Sequence, residues 1–241
     1  MASLIVNLDA LAFLRQAWRA AEPDPVAAAV IVEMGGADGL SLHLRGDRRH
    51  TQERDVNLVR EITHSRLLLS MAPTQEMVKF VYAAKPFGVT LVPERQDEPI
   101  TEGGLDVLLD EAHLKKVVRA LKDASVEVGL LVEPDIDQVK STSGLGADVV
   151  VLNSRAYAVT TLEREAREEL ERIESAARIA RKLGLRVRLA HGLHLRNLAP
   201  LAKLKDVNDV EVGHGLASRA LFIGLEAAVR ELKTALAASP N

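Results

Sequence analysis

The chain has 241 residues, 47% hydrophobic and only 3% aromatic, so it can bury a large aliphatic core without staples and is neither disordered nor fibrous. Its 31 basic and 34 acidic residues leave a net charge of −3, which gives no electrostatic footprint for nucleic acid or an anionic membrane. With no cysteine there are no disulfides or thiolate metal sites, and the opening residues show neither a signal nor a span, so a soluble cytoplasmic protein is expected.

In chain order, short β-branched runs alternate with helical periodicity. A strand at 4–9 precedes a helix at 24–35; 39–43 precedes 53–63; 67–71 precedes 74–85; 89–93 precedes 111–124. The second half repeats the pattern, with strands at 126–132, 149–153, 187–191 and 210–213 and helices at 135–143, 163–183, 196–204 and 217–237. Eight strand and helix pairs in this length predict an α/β fold, a (β/α)8 TIM barrel, with residues 1–241 as a single domain. The rival, an open doubly wound sheet, would carry a Gly-rich first turn, and none follows Asp9. The polar stretch 93–105 is long enough for a functional loop, whereas the charge run 163–174 reads as a solvated helix face.

In a barrel the site lies at the C-terminal strand ends, which here are Asp9, His43, Ser70, Glu94, Glu133, Asn153, His191 and His214. Histidine titrates near neutral pH, which makes His43 and His191 the acid–base candidates. No HxH or HExxH spacing exists, so no metal site is expected. Gly213-His214-Gly215, entering the last helix, has the backbone for an anion nest, and Gly192 extends it. The segment from His43 through Arg45 to His50 adds cations after the second strand.

Asn7-Leu-Asp9, Pro23-Asp-Pro25, Gly36-Ala-Asp-Gly39, His43-Leu-Arg45, Asp47-Arg-Arg-His50, Leu91-Val-Pro-Glu94, Thr101-Glu-Gly-Gly-Leu-Asp106, His191-Gly-Leu193 and Gly213-His214 occur in one order along the chain. In these motifs the sequence resembles the pyridoxine 5′-phosphate synthase family of vitamin B6 biosynthesis. The resemblance implies a transferase that condenses 3-amino-2-oxopropyl phosphate with 1-deoxy-D-xylulose 5-phosphate, releasing pyridoxine 5′-phosphate, inorganic phosphate and water, with no cofactor. It also implies a homo-oligomer. By position, Asn7, Gly213 and His214 match groups holding the amino-ketone phosphate, and Asp9, Arg45 and His50 match groups around the deoxyxylulose phosphate. His43 matches a proton acceptor, His191 a proton donor, and 93–104 a closing lid.

Several family positions differ. Ala10 replaces a histidine, Trp18 a phosphate-binding arginine, Ile100 the first lid threonine, and Ser70 the catalytic glutamate of strand three. A Glu-x-His-Thr-Gly pattern has become Val151-Leu-Asn153-Ser154-Arg155. Neither serine nor valine can act as a carboxylate base. Family turnover is therefore expected to be slow or absent unless another group serves, and restoring glutamate at 70 and 151 is expected to raise it. Arg188 and Glu211 appear where the family tends to have asparagines, and adjacent strands suggest a buried ion pair. Three readings follow: a synthase with a different base, altered chemistry on a related phosphorylated molecule, or binding of such a molecule alone.

Overall fold

The structure, a computed structural model, describes residues 2–238. Eight strands form it: β1 (Ser3–Asn7), β2 (Gly39–His43), β3 (Arg66–Met71), β4 (Gly88–Leu91), β5 (Glu127–Val132), β6 (Val149–Asn153), β7 (Arg186–Ala190) and β8 (Asp209–Val212). All neighbours pair in parallel and β8 closes onto β1, which is the (β/α)8 barrel expected from the sequence.

The outer layer holds α1 (Asp9–Trp18), α2 (Pro25–Met34), α3 (Glu53–Ile62), α4 (Gln75–Ala84), α5 (Glu111–Asp123), α6 (Ile136–Gly144), α7 (Arg155–Val159), α8 (Glu163–Lys182), α9 (Leu198–Leu201), α10 (His214–Ile223) and α11 (Leu225–Ala237). Local chemistry sets many starts. Asp24, before Pro25, accepts from the Val26 N–H, Thr74 accepts from Met77, and Asp135 accepts from Asp137 and Gln138.

Three differences from the periodicity matter. The first strand ends at Asn7, because Asp9 opens α1, a helix that the sequence pattern did not resolve. The span 217–237 is two helices, broken at Gly224, whose φ of 84° suits glycine. The start of α10 is thereby free to turn toward the barrel mouth, while α11 lays Ala228, Val229, Leu232 and Leu236 against the core. The third difference is α7, a short helix after β6 that the periodicity did not mark.

Alternation along each strand divides the side chains. Leu4, Val6, Leu40, Leu42, Leu69, Val210 and Val212 face the helices in the main aliphatic core. Inside the barrel, Val92, Leu131, Val149, Val151 and Ala190 form a small apolar cluster. Beneath it lies an ionic layer. Asp209, fully buried, accepts from Arg66 and Arg186 at 3.0 Å each, and Arg186 also reaches Glu127 at 2.6 Å.

Arg188 joins that layer. Its Nη1 donates to Thr90 Oγ1 at 3.1 Å, and its other nitrogens stand 3.6 Å from Glu127 and 3.8 Å from Asp209. The expected Arg188–Glu211 pair is corrected in one respect: the two are not in direct contact, although each is the largest charge acting on the other. Arg188 is level with Asp209 in the register, and Glu211 lies one pleat nearer the mouth.

Candidate active site

The C-terminal mouth holds a cavity of about 590 Å³, within the range for small-molecule sites. Asn7, Asp9, His43, His50, Ser70, His191, Gly192, Gly213 and His214 all line it. Arg45 is the one expected site residue outside the lining. It is buried behind the wall, with Nη2 donating to the Arg95 carbonyl at 2.9 Å and Nε reaching Asp47 at 3.4 Å. It ties the loop after β2 to the loop after β4, and its Nη1 is buried without a partner.

Asp9 organises one side. Its Oδ1 accepts from the His43 backbone N–H at 2.8 Å and from the Thr51 hydroxyl at 3.0 Å, and its Oδ2 accepts from Asn7 Nδ2 at 2.8 Å. Both carboxylate oxygens are thus committed to holding Asn7 and the end of β2. His43 Nε2 lies 3.3 Å from Glu94 Oε1. If Glu94 accepts there, the proton of neutral His43 sits on Nε2 and Nδ1 carries the lone pair. Burial alone would raise Glu94, but hydrogen bonds from His43 and the Gly46 N–H, with the Arg45 charge, bring it below the usual carboxylate range.

Two histidines are held neutral. His50 packs on Phe13 at 4.3 Å between ring centroids, its Nδ1 accepts from the Thr51 N–H at 2.7 Å, and burial pushes it down to about 4. His191 is likewise pushed down to about 4 by burial, with the charges of His43 and Arg155 adding to the effect. Its Nδ1 is buried without a partner. Its backbone φ is 78°, uncommon for a residue with a Cβ, and Gly192 follows at 73°.

The anion candidate is the start of α10. Gly213 precedes the helix, and His214 and Gly215 open it at the cavity wall, where their own N–H groups have no intrahelical acceptor. Close approach forces the glycines. A Cβ at Gly213 would lie 3.0 Å from Asn7 Oδ1, and one at Gly215 would lie 2.5 Å from the Leu193 carbonyl.

The loop after β4 covers the mouth with Pro99, Ile100 and Thr101. It is pinned by Arg49 to the Glu98 and Gln96 carbonyls, by Asn153 to the Glu102 carbonyl, and by Glu133, which accepts from the Gly104 N–H. Among the lining residues that sequence reasoning did not mark as site residues, an arginine and a glutamate stand out. Arg155, at the start of α7, pairs with Glu102 of the loop, and Glu211 faces the cavity from β8. The period-two alternation of β8 could have found Glu211. Among the described residues no group of His, Asp or Glu is arranged to hold a metal ion.

Fold and site together define a (β/α)8 barrel with a ligand-sized, histidine-lined cavity at its C-terminal mouth. Residues 4–238 match the family described as "Pyridoxal phosphate biosynthesis protein PdxJ". The chain is 46% identical over 239 residues to a pyridoxine 5′-phosphate synthase of Synechococcus sp. (strain JA-2-3B'a(2-13)), covering 99% of this chain and 100% of that one. It is 44% identical to one from Desulfatibacillum aliphaticivorans, covering 96% and 97%. The chain belongs to the pyridoxine 5′-phosphate synthase family. Among solved structures, the KGPDC of Streptococcus mutans superposes with a TM-score of 0.67 over 100% of both chains. At 14% identity that likeness concerns the fold alone.

Proposed function

We propose that this chain condenses 3-amino-2-oxopropyl phosphate with 1-deoxy-D-xylulose 5-phosphate to give pyridoxine 5′-phosphate, inorganic phosphate and water. The observation that carries the reading is the gathering of His43, His191, Asn7, Asp9 and the α10 N-terminus around one cavity in a member of this family. The first-turn amides of α10 suit a phosphate, because they offer several N–H donors and the positive end of the helix dipole without a bulky side chain. Asn7, fixed by Asp9, borders the same corner.

His43, oriented through Glu94, serves as proton acceptor. His191, neutral at pH 7, lends an N–H to a carbonyl or hydroxyl oxygen as negative charge builds there. The loop over the mouth keeps water from the imine stage, which hydrolysis would otherwise reverse. The reaction as written consumes no cofactor, and residues 1–241 act as one domain in the cytoplasm. No helix among the described residues is long and apolar enough to cross a membrane.

A homo-oligomer belongs to the same reading. Trp18 on α1 is 76% exposed, and Leu221 and Phe222 on α10 are 79% and 82% exposed. Exposed large apolar groups of this kind suit cover by a second copy. Light scattering giving a monomer mass at micromolar concentration would contradict it. The function is tested by incubating the purified protein with both substrates and following pyridoxine 5′-phosphate and inorganic phosphate together. Equal release of both is expected, whereas tight binding of either phosphate ester with no product would favour a binding protein.

A further inference from the structure

Ser70 leaves the end of β3 without a carboxylate, and Val151 sits in the apolar cluster inside the barrel, so neither position can accept a proton. Four other carboxylates lie near the mouth. Asp9 has both oxygens engaged by protein donors. Glu94 is bound by His43 and by the Gly46 and Ala72 N–H groups. Glu133 does not line the cavity, and its Oε1 accepts from Gly104 and Asn153. The fourth is Glu211, which lines the cavity from β8 with its neighbours Val210 and Val212 turned outward into the core.

The surroundings of Glu211 are built for a charge that acts. Below it stands the Arg188 guanidinium, whose Nε and Nη2 have no hydrogen-bond partner, and beside it is the buried Ser41 hydroxyl, whose hydrogen bond favours the charged carboxylate. From the β1 side the Asn7 amide hydrogen-bonds to it and the Asp9 carboxylate repels its charge. Burial raises Glu211 above the usual carboxylate range while Arg188 works against that rise, a setting that strengthens the carboxylate as a base.

We propose that Glu211 is the catalytic carboxylate of this chain, acting from β8 in place of the one absent at Ser70. The inference rests on the proposed condensation and names the base for it. Glu211 accepts one proton from the ligand carbon next to its carbonyl. The C–H electron pair becomes the enolate double bond, the carbonyl pair moves to oxygen, and the proton is later returned to a departing hydroxyl, which leaves as water.

The test uses the full chain, with Glu211→Gln and Glu211→Asn measured for kcat and KM on both substrates. Exchange of 3-amino-2-oxopropyl phosphate hydrogens with D2O is followed in parallel. The expected result is a fall in kcat of about 100-fold or more with KM changed less than about threefold, and a matching loss of exchange. Ser70→Glu added to Glu211→Asn is expected to restore at least about tenfold of the rate. Glu211→Asp keeps the charge beside Arg188 but withdraws it by a methylene. Should the amide variants fail to fold, a fall in its kcat of about tenfold, with the thermal midpoint unchanged, carries the test.

Product formation by the unaltered chain with Glu211→Gln equally active would overturn the assignment and leave the condensation standing. Exchange that depends on Glu211 without any product would support the assignment and overturn the condensation. Neither product nor exchange would overturn both.

Discussion

At the residue scale, the neutral histidines have a consequence for stability. His50 and His191 titrate near 4 in the folded chain and near 6.5 when unfolded, so between those values the unfolded chain binds more protons. Stability is therefore complete above about pH 6.5 and declines as pH falls toward 4. From pH 7 to pH 5 the loss is at most about 2 kcal/mol per histidine. Urea midpoints measured across that range should fall on acidification, and His50→Gln should flatten the decline; an unchanged slope in the variant would show that His50 is protonated freely in the fold. The places of His43 and His191 in the cavity lining were legible because a barrel puts its site at the strand ends. Arg45 was legible as a cation after the second strand, but its bond to the Arg95 carbonyl, fifty residues on, was not. Glu211 was legible as an inward-facing charge. Its separation from Arg188 was not, because the choice among Glu127, Asp209 and Glu211 is made by the stagger of the strands.

At the scale of the elements, the start of α10 is the proposed anion site. Gly215→Ala would bring a methyl into the Leu193 carbonyl and the His194 side chain, forcing the helix start away from the mouth. Phosphate affinity measured by calorimetry should drop by about tenfold or more, equivalent to about 1.4 kcal/mol, with the far-ultraviolet spectrum retained. Unaltered affinity would place the anion elsewhere. The other supporting element is the turn after β2, held by buried Arg15, which donates to Asp55 at 2.8 and 2.6 Å and to the His50 carbonyl at 3.3 Å. Asp55→Ala strands that guanidinium, and a loss of about 3–5 kcal/mol in unfolding free energy is expected from denaturant titration. Strands and most long helices could be read from apolar period alone. The missing α1 and the break at Gly224 could not, since Asp9 fits a strand end as well as a helix start and Leu221 continues the stripe of α11 without packing on it.

At the scale of the molecule, the barrel has a division of labour along its axis. An ionic layer of Arg66, Glu127, Arg186, Arg188 and Asp209 fills the base, apolar side chains occupy the middle, and acid–base groups crowd the mouth. The base layer holds the strands that aim Glu211 and His191, so Asp209→Asn should both destabilise the fold by several kcal/mol and disturb activity. Stability lost without any change in the kcat of the folded fraction would separate the two ends. Composition and alternation revealed the barrel, but the contents of its interior became visible only once eight distant strands were brought into register. The measurement that bears most directly on the whole account is steady-state turnover of the purified chain on 3-amino-2-oxopropyl phosphate and 1-deoxy-D-xylulose 5-phosphate, compared with its Glu211→Gln variant. The account expects pyridoxine 5′-phosphate from the unaltered chain and about 100-fold less from the variant; no product from the unaltered chain under saturating substrates would contradict it.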